Sequence, residues 1–145
     1  MKYIDRLIPI ALRAIEDKQI PRGENKEVPN EYKGYIDGFG AAIVQNGLLP
    51  AVVFFENSRG DDSAGSGSTA ENRKKLLGAV LQVIRENKNR ESSGAEKSGS
   101  LYDYIIRSMN DPENPGDIKI LRREVTEAAA AVKLALRTFP FSKSE

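Results

Sequence analysis

Two absences decide which side chains could do chemistry here. Neither histidine nor cysteine occurs among the 145 residues. Thiolate nucleophiles, disulfides, Cys/His zinc sites, Ser-His-Asp triads and imidazole acid–base work are thereby removed together. Carboxylates, Lys, Tyr and a carboxylate-held Mg²⁺ are what remain. The acidic pair Asp61-Asp62 could share such an ion with a substrate phosphate. It stands in the Gly/Ser stretch GDDSAGSGS (60–68), which fixes no geometry, and reads as part of a solvated loop. No helical pair of carboxylates falls at suitable spacing in an apolar setting. The chain is therefore assigned no catalytic residue, no metal ligand and no cofactor, and it is expected not to be an enzyme.

The glycines give no nucleotide site either. Gly94-Ala95-Glu96-Lys97-Ser98-Gly99-Ser100 has the two glycines of a phosphate loop at the right spacing. Ser100, however, stands where the phosphate-reaching Lys should be, and no strand leads in. Gly34, Gly38 and Gly40 are in the wrong order for a dinucleotide fingerprint. Tyr32, Tyr35, Tyr102 and Tyr104 could stack on bases. Tyr32 and Tyr35 follow the apolar stripe of their helix and so read as core, while Tyr102 and Tyr104 stay open between the two roles.

Cations on the last helix are the more informative set. Ile118, Leu121, Val125, Ala128, Val132, Ala135 and Phe139 alternate by three and four, so one side is a buried seam. At about 100° per residue, Lys119, Arg123, Thr126, Ala130, Lys133 and Arg137 fall on the opposite side, with Arg122 beside them. That side carries cations and no acid, since Glu124 and Glu127 point to the flank. From residue 119 to residue 137 a helix rises about 27 Å, enough to follow several phosphates of one strand. Lys119, Arg122, Arg123, Lys133 and Arg137 are thus the candidate phosphate contacts, and a solvated helix face is the plain alternative. Lys74 and Lys75 come next.

The elements that would position these residues are helical. An apolar content of 39% over 145 residues supports one modest core and no second one. The spacing predicts helices over about 3–18, 30–45, 48–57, 69–87, 101–109 and 117–138. Pro9 lies inside the first pattern, where it threatens a kink. The second is opened by Asn30 as an N-cap and closed by Asn46-Gly47. Its glycines would each cost about 1 kcal/mol against Ala unless a neighbouring backbone packs close. Leu48 to Asn57 is almost wholly apolar and by periodicity could be a buried strand or a short buried helix; Pro50 suits a first helical turn and no partner strand is visible, so a helix is expected. Ser68 or Thr69 would cap the fourth helix and Asp117 the sixth. The expected fold is an all-α, single-domain bundle of five to seven helices over 1–145, with flexible loops near 58–68 and 89–100.

Lys and Arg total 22 against 21 Asp and Glu, a net charge of +1, so any attraction to nucleic acid must come from one local face. The N-terminal residues lack the apolar stretch of a signal peptide, and no run approaches the roughly 20 apolar residues of a membrane span. With no cysteine, a cytoplasmic location without membrane contact is the expectation.

The segment Phe39 to Phe55, FGAAIVQNGLLPAVVFF, resembles the helical small subunit of type III-B CRISPR effector complexes, the Cmr (RAMP module) assemblies. That family has an amphipathic helix ending in an Ile-x-x-Asn-Gly-Leu turn, then an apolar helix with a Phe near its end. Ile43, Asn46, Gly47, Leu48 and Phe54 match. The first helix, with Leu12 and Ala14, resembles the family's opening helix, and Leu101-Tyr102-Asp103-Tyr104-Ile105 its short Leu-x-x-Tyr helix. Glu127-Ala128 through Leu136-Arg137-Thr138-Phe139 resembles its closing helix, except that Ala135 stands where the family often has Trp.

The resemblance implies a fold and partners, and supplies no catalytic residues. It implies that copies of the chain stack along a filament of larger subunits, with guide RNA and target RNA, while other Cmr subunits cleave. The chain would brace that assembly and line the groove for the target strand. Base pairing already reads the sequence, so the contacts would be to backbone. The alternative from another class is a helical adaptor that binds protein only; a continuous positive stripe on the last helix would tell the two apart.

Overall fold

Residues 2–21, 23–56, 67–88, 100–113 and 115–141 are described by a computed structural model of the chain. They form α1 (Lys2–Asp17), α2 (Glu31–Asn46), α3 (Leu48–Glu56), α4 (Gly67–Lys88), α5 (Leu101–Met109) and α6 (Ile118–Leu136). Among the described residues no strand forms, and an isolated β-bridge pairs Val28 with Phe141. The all-α, single-core expectation is met. Asp61-Asp62 and most of the Gly94–Ser100 stretch lie outside the described residues.

Each helix buries most of one apolar face. Leu7, Ala11 and Ile15 of α1 are buried, with Ala14 added between them. In α2 the stripe is Tyr32, Ile36, Phe39 and Ile43, and Tyr35 is half-buried beside it. Helix α1 runs unbroken through Pro9. Pro9 removes the N–H that would have met the Asp5 carbonyl, and both residues lie on the exposed side of the helix.

α4 and α6 are the centre. α6 packs on α1, α2 and α4, and α4 touches every other helix. Their buried faces are correspondingly wide: Leu76, Leu77, Ala79, Val80, Leu81, Val83 and Ile84 in α4, with Ala129, Ala131 and Leu136 joining the predicted seam of α6. The ends of that seam are looser than its periodicity suggests. Ile118 is 38% exposed and Phe139 half-buried.

Helix ends correct three further expectations. Asn30 has αR dihedrals and makes no side-chain cap; its carbonyl accepts from Lys33 N–H, and the first turn reaches back to Pro29. α4 opens at Gly67, ahead of Ser68 and Thr69. The glycines of α2 are not sites of close backbone approach: a Cβ on Gly34 or Gly40 would meet nothing within 4 Å, and one on Gly38 only the Phe55 ring, at 3.7 Å. Asp117 does cap α6, its Oδ1 accepting from Lys119 N–H at 2.9 Å. The chain end is tied back to the 20–29 loop by Val28 N–H, which donates to the Pro140 carbonyl at 2.8 Å.

Candidate nucleic-acid interface

α2 and α6 lie side by side and run in opposite directions. Asp37, early in α2, meets Lys133, late in α6, while Ile43 and Val44 lie beside Lys119 and Arg123 at the start of α6. Where they face each other both helices carry small residues. Gly40 and Ala41 on one side, and Thr126, Ala129 and Ala130 on the other, line a cleft of about 280 Å³ together with Ile36, Asp37 and Lys133. Glycine, alanine and threonine are too small to fill the space between the two helices there.

Two further depressions extend this cleft. Towards the start of α6 it opens into about 420 Å³ between Ile43, Val44, Lys119, Arg122, Arg123, Thr126 and Glu127. Towards the end of α6 it narrows to about 30 Å³, lined by Lys33, Ile36, Asp37, Lys133, Leu136, Arg137 and Phe141. Thr126 belongs to the first two, and Ile36, Asp37 and Lys133 to the first and third, so the three form one groove. All five cations singled out from the sequence border it. Lys119, Arg122, Arg123 and Arg137 are exposed, and Lys133 is half-exposed.

The charge is arranged in two groups. Lys119, Arg122 and Arg123 stand at the wide end and Lys133 and Arg137 at the narrow end, and the small residues between them carry no charge. Lys33 of α2 joins the narrow end, its Nζ lying 5.3 Å from the centre of the Phe141 ring. It escapes a reading of α6 alone because it comes from the other wall. So does Asp37, whose Oδ1 lies 2.9 Å from Lys133 Nζ. Glu127 sits at the rim of the wide end. The run of cations along the groove is therefore not continuous, with two carboxylates, Asp37 and Glu127, set among six cations.

Of the remaining candidates, Tyr32, Tyr35 and Tyr104 have structural roles. Tyr104 donates its hydroxyl hydrogen to Glu124 Oε1 at 2.8 Å, which joins α5 to α6. Tyr32 is fully buried with its ring edge-on to Tyr35. The Arg73 guanidinium lies 5.5–5.6 Å from the ring centres of Tyr35, Phe54 and Phe55, clamping α4 to α2 and α3. Tyr102 stays 39% exposed. Lys74 is exposed and faces Glu56, so it does not belong to the groove. Among the described residues no three acids converge as metal ligands, and no helix is long and apolar enough to cross a membrane.

Comparison with known proteins gives one match. The family model described as CRISPR-associated protein (Cas_Cmr5) covers residues 10–111, more than half of the chain. It runs from the second half of α1 through α5 and includes one wall of the groove, α2, but stops short of α6. No curated protein and no solved structure matches.

Proposed function

Because the chain belongs to the Cas_Cmr5 family, the small subunits of type III-B CRISPR Cmr complexes, we propose that it acts there as a non-catalytic subunit whose α2–α6 groove seats RNA backbone. Family membership carries the association with other Cmr subunits. The RNA contact, the bracing of a filament together with further copies of the chain, and the absence of catalysis are the parts that go beyond it.

One observation carries the RNA reading. Four cations chosen by helical phase on α6, with Arg122 beside them, all border a single groove whose middle is lined largely by small residues. Bulk is missing where a sugar-phosphate chain would pass, and charge stands at both ends of the passage. Cations on phosphates position a strand without reading it, which suits a complex whose specificity resides in guide pairing. The near-zero net charge confines the attraction to this face.

Substitution at the narrow end tests it. In the assembled complex, Lys133→Glu with Arg137→Glu is expected to reduce capture of target RNA about equally for all sequences, to flatten its salt dependence, and to leave assembly intact. Unchanged capture with an unchanged salt slope means that the face is solvated or docks on a protein neighbour, which is the adaptor reading.

A further inference from the structure

The Asp37–Lys133 ion pair crosses the narrow part of the groove at 2.9 Å. We infer that Asp37 is a built-in competitor for phosphate at Lys133, and that it holds the affinity of the groove for RNA below what its cations alone would give. This rests on the RNA reading of the groove and adds a regulating residue to it.

Three features support the role. The first is position. Asp37 stands on α2, directly across from the last turns of α6, and it lines both the small-residue cleft and the narrow end. A phosphate that reaches Lys133 arrives beside Asp37.

The second is charge. A carboxylate and a phosphodiester each carry one negative charge and each accept hydrogen bonds from an ammonium, so a phosphate arriving at Lys133 replaces one monoanion by another. Asp37 is then left beside the RNA without its cation. The net charge that this pair offers to RNA is zero, whereas Lys133 alone would offer one positive charge.

The third is exposure. The side chains of Lys133 and Asp37 are 42% and 58% exposed, so the pair is screened and readily exchanged. It can hold Lys133 across an empty groove and yield when a phosphate arrives. In the isolated fold it contributes little that a neighbouring contact could not replace.

A double-mutant cycle in the assembled complex tests this, with labelled RNA complementary to the guide as the probe. Asp37→Asn keeps size and hydrogen-bonding capacity while removing the charge. It is expected to tighten RNA binding by about two- to fivefold at low salt, the range spanned by an exposed ion pair. The dependence of log affinity on log salt should steepen by about 0.7 to 0.9, one phosphate's share. In a Lys133→Gln background the same substitution should change both readings much less. Thermal melting of each variant shows whether its fold is kept.

Unchanged or weakened binding by Asp37→Asn overturns the inference. So does an equal gain with and without Lys133, which would mark a general field effect and no competition at that lysine. If Lys133→Glu with Arg137→Glu leaves capture untouched, the RNA reading itself fails. If that pair weakens capture while the Asp37 cycle is flat, only the present inference fails.

Discussion

At Gly47 the backbone takes φ +99° and ψ 166°, a region that is essentially restricted to glycine. Gly47 N–H donates to the Ile43 carbonyl at 2.9 Å, and its own carbonyl accepts from Ala51 N–H at 3.3 Å. One residue thus ends α2 and starts α3. The positive φ anticipated from Asn46-Gly47 is present, but the extended ψ places it outside the left-handed helical region. A Cβ here would meet only Pro50 Cδ, at 3.7 Å, an ordinary contact. Gly47→Ala should therefore cost about 1–3 kcal/mol through backbone strain alone, read by denaturant unfolding, and Gly47→Val more. Equal stability of Gly47→Ala and wild type would show that the turn has another conformation. Gly34 is the opposite case: exposed, mid-helix and with open space at its Cβ. Gly34→Ala should raise stability by about 0.5–1 kcal/mol, and a loss would mean that α2 is approached closely there.

The end of α3 and the start of α5 are joined by a carboxylate. Glu56 Oε2 accepts from Leu101 N–H at 3.1 Å, supplying from another helix what an N-cap supplies locally, while Ser100 Oγ accepts from Asp103 N–H at 3.1 Å. Burial raises the Glu56 carboxyl above its ordinary value of 4.5, against the opposing pull of the Leu101 and Tyr102 amides. Folding thus favours the protonated form. The stability this contributes is fully present below the unfolded value and is lost as pH rises through the folded one. Glu56→Gln keeps an acceptor but cannot ionise. The melting temperature of wild type is expected to fall relative to that of Glu56→Gln as pH rises from about 4.5 towards neutrality; parallel curves would exclude a raised carboxyl. Periodicity made the stripes of α1, α2, α4 and α6 legible, because a helix declares its buried face every three or four residues. The Glu56 contact was not legible: it joins positions 45 apart, and nothing local marks such a pair. Asn30 misled for a related reason, since a residue type that favours capping says nothing of whether the preceding turn is already helical.

For the whole molecule, the cation face of α6 could be read from phase alone, but a groove needs two walls. Lys33 and Asp37 come from α2, and only the packing of α2 against α6 brings them to Lys133. The order of helices and the Asn-Gly-Leu turn were enough to suggest the family, and the match over residues 10–111 establishes it. What occupies the groove is the central question, and the answer separates an RNA-seating subunit from a protein adaptor. Ala41 is exposed on the rim of the small-residue cleft, so a photo-reactive phenylalanine analogue in its place should be tolerated. Irradiating the assembled complex, loaded with guide and target RNA, should yield a covalent product that contains RNA and disappears with Lys133→Glu plus Arg137→Glu. A crosslink from Ala41 to a neighbouring subunit, with no RNA in the product, would contradict the proposed role of the groove.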